Sequence, residues 1–194
     1  MESSFKESDD GNRKIYSASK LLAEKLIISF CKKNNIPYTI ARVFNLYGDN
    51  DKFSVISKFI NAKNNKSSFV VNNEGSAIRD FISYKEVTDI YIKILKSKNS
   101  EIIDVGTGRG IQIKEIINLV NKNKIKLIKK NYNEIPFSVA DSNKYNLKLN
   151  DNLNIYLKKK LKLKSTPFFK KYGPEKKFIF KDYIRGTIIY GAGN

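Results

Sequence analysis

Along this chain the spacing of apolar residues switches repeatedly from a helical period to a strand-like one and back. Tyr16 to about Asn34 carries Leu21, Leu22, Leu26 and Ile27 near the 3.6-residue period of a single helix face. The stretch "NNIPYTIARVF" breaks that period, and Tyr38 to Phe44 reads as a buried strand rich in aromatic and β-branched residues. "SVISKFINAK" predicts a short helix and "SSFVVNN" a strand. "SYKEVTDIYIKILK" predicts a helix opened by a capping box, Ser83 with Glu86, ahead of Val87, Ile90, Tyr91 and Ile94. "EIIDVGTGRGIQIKEIINLVNK" reads as strand, glycine turn and helix. Helices that alternate with strands predict an α/β fold. Residues 1–14 are polar and predict a loop, and no internal repeat is evident.

Composition narrows the chemistry. The 194 residues are 41% hydrophobic, enough for one globular domain with an appendage. No apolar run approaches the ~20 residues of a membrane span, and the N-terminus has no signal-peptide core. A lone cysteine, Cys31, excludes an intramolecular disulfide and a cysteine-built zinc site, and it suits a reducing cytoplasm. Histidine is absent, which excludes Ser-His-Asp and Cys-His catalysis; no metal site is predicted. Acid–base work at neutral pH must fall to a tyrosine, a lysine or a carboxylate. The formal charge of +18 raises nucleic acid as a partner, with much of the excess in Tyr156 to Lys181. Lysine also travels with asparagine and isoleucine along the whole chain, as AT-rich coding imposes. The charge is therefore read as solvated faces, with a polyanion or anionic-membrane contact as the alternative.

In "KIYSASKLLAEK", Tyr16 and Lys20 stand four residues apart, on one face of a helix. A neighbouring ammonium favours the phenolate, which would let a tyrosine exchange a proton with a substrate hydroxyl. Ser17, Ala18 and Ser19 keep the helix slim between them, allowing a flat cofactor to approach. Tyr and Lys at this spacing also recur by chance, so the pair by itself is weak evidence.

Three later segments add weight: "ARVFNLYG" (Ala41 to Gly48), "IRDFISYKEVTDIY" and "EIIDVGTGRGIQIKEI". In this order and spacing, residues 5 to 148 resemble the C-terminal half of an extended short-chain dehydrogenase/reductase of the nucleotide-sugar epimerase/dehydratase family. The resemblance implies the C-terminal part of a Rossmann-like NAD(P)-binding fold with a small α/β substrate-binding domain, truncated. It implies that Tyr16 is the catalytic acid–base. Lys20 would contact the nicotinamide ribose and favour the Tyr16 phenolate. Phe44 would sit at a strand end beside the nicotinamide. Asn45 and Arg79 would hold the diphosphate of a nucleotide-sugar substrate, for which a guanidinium fork is suited. Gly48 closes the family's "NxxG"; Asp80 is expected to orient its loop, and Arg42 to form a structural ion pair. Glu24 matches an acidic residue common on that helix, with an exposed helix charge as the equal alternative. The cofactor is expected to be NAD or NADP, the location cytoplasmic, and the full-length parent a homodimer. Nucleic acid is not expected as a partner.

Departures from the family pattern are as informative. No strand and glycine-rich turn precede Tyr16, and Ser3 and Ser4 lie too close to it to replace the family's catalytic Ser/Thr. Glu7 matches an acidic residue of the loop before the tyrosine helix. The chain is therefore expected to be a fragment, inactive alone and with apolar helix faces uncovered. Residues 1–148 form the expected enzyme half and 149–185 a basic connector. In 186–194, "GTIIYGAGN" would open a second dinucleotide-binding domain. Two rivals remain. "IIDVGTGRG" also resembles the first motif of S-adenosylmethionine methyltransferases, although only Glu134 could supply that family's second acid. The other is a non-catalytic basic binding module.

Overall fold

The computed structural model describes residues 9–119, 126–130, 135–141, 152–173 and 187–191. α1 (Asp9–Lys33) leads into β1 (Tyr38–Val43) and β2 (Asn45–Tyr47), followed by α2 (Val55–Asn64), β3 (Ser68–Asn72) and β4 (Ile78–Ser83). Next come α3 (Tyr84–Leu95), β5 (Glu101–Val105), β6 (Gly110–Gln112) and α4 (Ile113–Ile117). β7 (Lys126–Lys130), β8 (Phe137–Ser138), α5 (Asn152–Leu161) and β9 (Thr187–Gly191) complete the order. The helices and strands read from apolar spacing occur in the order expected, and β2, β4, β6, β7, β8 and α5 are added to them.

Local chemistry explains the element ends. Helix α1 already runs at Asp9, inside the stretch expected to be loop. It stops at Asn35, whose φ of +53° is one asparagine tolerates, and the Ile36 amide returns to the Cys31 carbonyl at 2.9 Å. Ser54 caps α2 by accepting the Ser57 amide. The predicted capping box of α3 is present in both directions, Ser83 to Glu86 and back.

β1 is the spine of the first sheet. It pairs in parallel with β5 from Thr39↔Glu101 to Val43↔Val105, and antiparallel with β9 through Thr39↔Tyr190. Alternate residues of a strand face opposite sides, and β1 divides accordingly. Tyr38 and Ile40 pack with Cys31, Ile27 and Ile28 of α1. Ala41 and Val43 pack with Val87, Ile90 and Ile94 of α3 and with Ile103 and Val105 of β5. A parallel pair buried on both faces is the arrangement such strands require. The second sheet centres on β4, with β2 and β8 parallel to it and β6 antiparallel; β3 and β7 form a parallel pair.

The largest core joins α2, α4 and α5 to the second and third sheets, with Phe59, Phe69, Phe81, Ile116 and Leu157 at its centre. Leu153, Leu157 and Leu161 of α5 belong to it, so part of the stretch read as a connector supplies packing. On α1 the expected single apolar stripe is divided. Ile27 turns to β1, whereas Leu22 and Leu26 face solvent together with Ile15 and Phe30. Those four are spaced by seven, four and four residues, one line along the helix. Uncovered apolar helix surface was expected, and it is found here. β9 matches the strand read in "GTIIYGAGN", whereas residues 192–194, Glu7 and Glu134 lie outside the described residues.

Candidate active site

Tyr16 lies on the exposed side of α1, 45% accessible, and the Lys20 Nζ stands 5.6 Å from the centroid of its ring. The i,i+4 spacing thus brings phenol and ammonium together on one open face, as the sequence predicts. Ser19, between them, spends its hydroxyl on the Tyr16 carbonyl at 2.8 Å and leaves the face clear. Lysine offers three donors on a rotatable head, suited to the hydroxyls of a ribose.

Eight residues beyond Tyr16 the same helix carries a group of the opposite kind. Glu24 is only 2% exposed and takes a two-pronged contact from Arg42 of β1, Nε at 3.1 Å and Nη2 at 2.8 Å. The exposed-charge reading of Glu24 is therefore corrected. A carboxylate buried against β1 needs a fork of donors, and Arg42 provides it, as expected of a structural ion pair. The Glu24 hydrogen bond is the main cause that raises the Arg42 guanidinium further. Asp104 faces Arg42 across the β1–β5 register; burial pushes its carboxyl up, against the Asp141 amide and the Arg42 charge.

Asp80 on β4 is the second buried hub. Its carboxylate, wholly inaccessible, accepts the Thr107 amide at 2.9 Å, the Thr107 hydroxyl at 2.5 Å, the Gly108 amide at 2.8 Å and the Ala140 amide at 3.2 Å. Burial nevertheless pushes the carboxyl above the usual range, with those donors acting against it. The "GTG" turn is shaped for this contact. A Cβ on Gly106 would lie 2.6 Å from Ala140 Cβ and 2.7 Å from Asp80 Oδ2, while Gly108 takes a φ of +67°. Asp80 orients a loop, as expected. The Thr107 and Gly108 amides are spent on it, so they are not what a methyl donor or a pyrophosphate would be held by.

The remaining predicted residues surround this hub. Phe44 is buried at the end of β1, its amide bonded to the Val105 carbonyl at 3.0 Å. Asn45 donates through Nδ2 to the Asp80 carbonyl at 2.7 Å. Arg79, also buried, donates through Nη1 to the Ile78 carbonyl at 2.9 Å. A Cβ on Gly48 would meet the Tyr84 ring at 2.6 Å, which accounts for the glycine of "NLYG". Phe44, Asn45, Arg79 and Asp80 thus lie at the end of β1 and along the paired strands β2 and β4.

A family model described as the NAD dependent epimerase/dehydratase family matches residues 2–106. The chain belongs to this family. A dTDP-D-glucose 4,6-dehydratase of Dictyostelium discoideum is 31% identical over 110 residues, covering 54% of this chain and 25% of the relative. The solved UDP-N-acetylglucosamine 4-epimerase of Methanobrevibacter ruminantium, in complex with UDP-N-acetylmuramic acid, is 26% identical with a TM-score of 0.62. That match covers 78% of this chain and 51% of the solved one. A UDP-glucose 4-epimerase of Thermus thermophilus, solved with NAD, shares the fold at 19% identity and a TM-score of 0.58, covering 64% and 44%. The chain spans about a third of the length of the curated relatives it matches first. The Rossmann-like α/β fold read from the sequence is therefore the observed one, matched over about half of each solved chain.

Within that family fold, a small cavity of about 40 Å³ opens beside α5, among Tyr47, Glu86, Arg109, Asn152 and Lys171. Neither Tyr16 nor Lys20 lines it, and its volume exceeds the ~10–15 Å³ that one water needs. Sequence reasoning missed the buried pairing of Glu24 and the three-segment convergence on Asp80. The glycines of "GTG" and the acid of "IRDF" were visible signals, but nothing linear said that they meet. Among the described residues no group of three His, Cys, Asp or Glu could hold a metal ion, and no helix is long and apolar enough to cross a membrane.

Proposed function

We propose that this chain is the tyrosine-bearing part of an NAD(P)-dependent nucleotide-sugar epimerase, dehydratase or reductase that oxidises a sugar hydroxyl transiently. The observation that carries the reading is the open α1 face, where Tyr16 and Lys20 stand together while Glu24, two turns on, is buried and paired with Arg42. These two residues fit the nicotinamide end of the cofactor. When bound, that group accepts hydride from the sugar carbon. The Tyr16 oxygen takes the proton of the same hydroxyl and later returns it. Lys20 donors hold the ribose, Phe44 backs the site, and Asn45 and Arg79 position the diphosphate.

The polypeptide division belongs to the same proposal. Residues 1–148 act as the enzyme half, 149–185 form a basic connector, and 186–194 open a further dinucleotide-binding unit. Residues 1–194 alone are expected to be inactive, since a glycine-rich half is needed beside them to hold the cofactor pyrophosphate. Full-length parents are expected to be cytoplasmic homodimers. The exposed line of Ile15, Leu22, Leu26 and Phe30 on α1 supports pairing through that helix.

The test joins residues 1–148 to a complete first half and measures NAD-dependent turnover of sugar nucleotides before and after Tyr16→Phe. Loss of the hydroxyl should lower turnover by about 10²- to 10⁴-fold, the usual worth of a positioned acid–base. Unchanged turnover would remove Tyr16 from the mechanism.

A further inference from the structure

Residues 158–171 carry seven lysines, and the sequence holds no carboxylate between Asp151 and Glu175. α5 turns Leu153, Leu157 and Leu161 into the core, and Lys159, Lys162 and Lys164 are exposed. Beyond the helix the chain is tied down at three points. Phe169 is 1% exposed within the core, the Lys170 amide donates to Glu115 Oε2 at 2.8 Å, and Tyr172 and Gly110 exchange backbone hydrogen bonds at 2.7 and 3.0 Å. Immediately before the first of these ties, Phe168 is 87% exposed. A fixed loop therefore presents an aromatic ring to solvent amid lysines. Among the described residues, Asp49 pairs with Lys160 at 2.8 Å, and Glu115 takes the Lys170 amide. Lys159, Lys162, Lys164 and Lys170 stand exposed with no acid between them in the sequence, so the surface is strongly positive.

We propose that residues 158–171 dock the protein on an anionic phospholipid surface, with Phe168 entering the headgroup layer and the lysines facing lipid phosphates and carboxylates. A polybasic stretch and one inserted apolar group are the two signals that reversible membrane attachment needs. Lysine suits the task, since its long stem lies along apolar surface while the ammonium stays hydrated. Nucleic acid fits less well. The segment has no arginine to fork onto phosphates or guanine edges. It also offers a single exposed ring where single strands demand a row of stacking platforms.

The experiment sediments the full chain with vesicles of phosphatidylcholine alone and of phosphatidylcholine with phosphatidylserine, at two salt concentrations. Binding is expected only to the anionic vesicles and should fall steeply with salt. Replacing Lys159, Lys164 and Lys170 together by glutamine should lower partitioning on the order of a hundredfold, at roughly fivefold per lysine. Phe168→Ser should weaken binding yet keep its salt dependence. All four positions are exposed, so unchanged circular dichroism and melting confirm folding. Equal binding to neutral vesicles, or binding that neither variant alters, overturns the proposal. So does a DNA oligonucleotide that holds the chain at salt concentrations where anionic vesicles have released it.

Discussion

Tyr16 and Glu24 stand on one helix about two turns apart, and they meet opposite fates. Tyr16 is nearly half exposed beside Lys20, whereas Glu24 is sealed against β1 by the Arg42 fork. Both belong to the same short motif, "YSASKLLAE", and nothing in its letters separates them. Burial does. A buried carboxylate without a partner is too costly to keep, so the fold supplies Arg42 and the pair becomes scaffold. An exposed phenol and ammonium need no such satisfaction and stay available to a ligand. The same division runs through "IRDF", where Asp80 collects four donors and fixes a turn.

The contrast can be broken most directly by comparing rate with stability. In the joined enzyme, Tyr16→Phe should cost about 10²- to 10⁴-fold in turnover while the melting temperature stays put. Arg42→Ala should do the reverse of this in stability, costing about 3–5 kcal/mol in denaturant melts because Glu24 is left buried and unpaired. Replacing the pair together, Glu24→Leu with Arg42→Met, should recover most of that loss; no recovery would place Glu24 outside the scaffold. Asp80→Ala strands the Thr107, Gly108 and Ala140 amides, and a loss of about 2–4 kcal/mol is expected at equilibrium. Leu157→Ala should cost about 2–5 kcal/mol by leaving a cavity in the large core, and a smaller loss would mark α5 as loosely attached.

The smallest effects lie at the surface. Ser83→Ala removes half of a capping box and should cost about 1 kcal/mol. Asp51 is a gentler probe. Burial works against its charge, but the Ser54, Phe53 and Ser57 donors outweigh this and hold the carboxyl below the usual range. A lowered folded value means stability present above the unfolded value of about 3.9 and lost as pH falls through the folded one. Asp51→Asn should therefore flatten the acid limb of a stability–pH curve.

Much of this was legible in the chain. The alternating periods located β1, α2, β3, α3, β5 and the C-terminal end of α1 to within a few residues, since those patterns reflect one-sided or two-sided burial of single elements. The Ser83–Glu86 capping box was legible because both partners lie within four residues. Legibility failed at Asp9, where a polar stretch continues the helix, and along α1, where Leu22 and Ile27 share a period but face different surroundings.

Sequence alone determined the element types, the family and the shared face of Tyr16 and Lys20, because each depends on neighbours within a turn or two of the chain. Tertiary structure alone decided that Glu24 is scaffold, that the "GTG" turn wraps Asp80, and that Phe168 faces solvent while Phe169 does not. Those outcomes depend on which distant backbone donors and apolar surfaces close around a side chain, and local spacing carries no record of them.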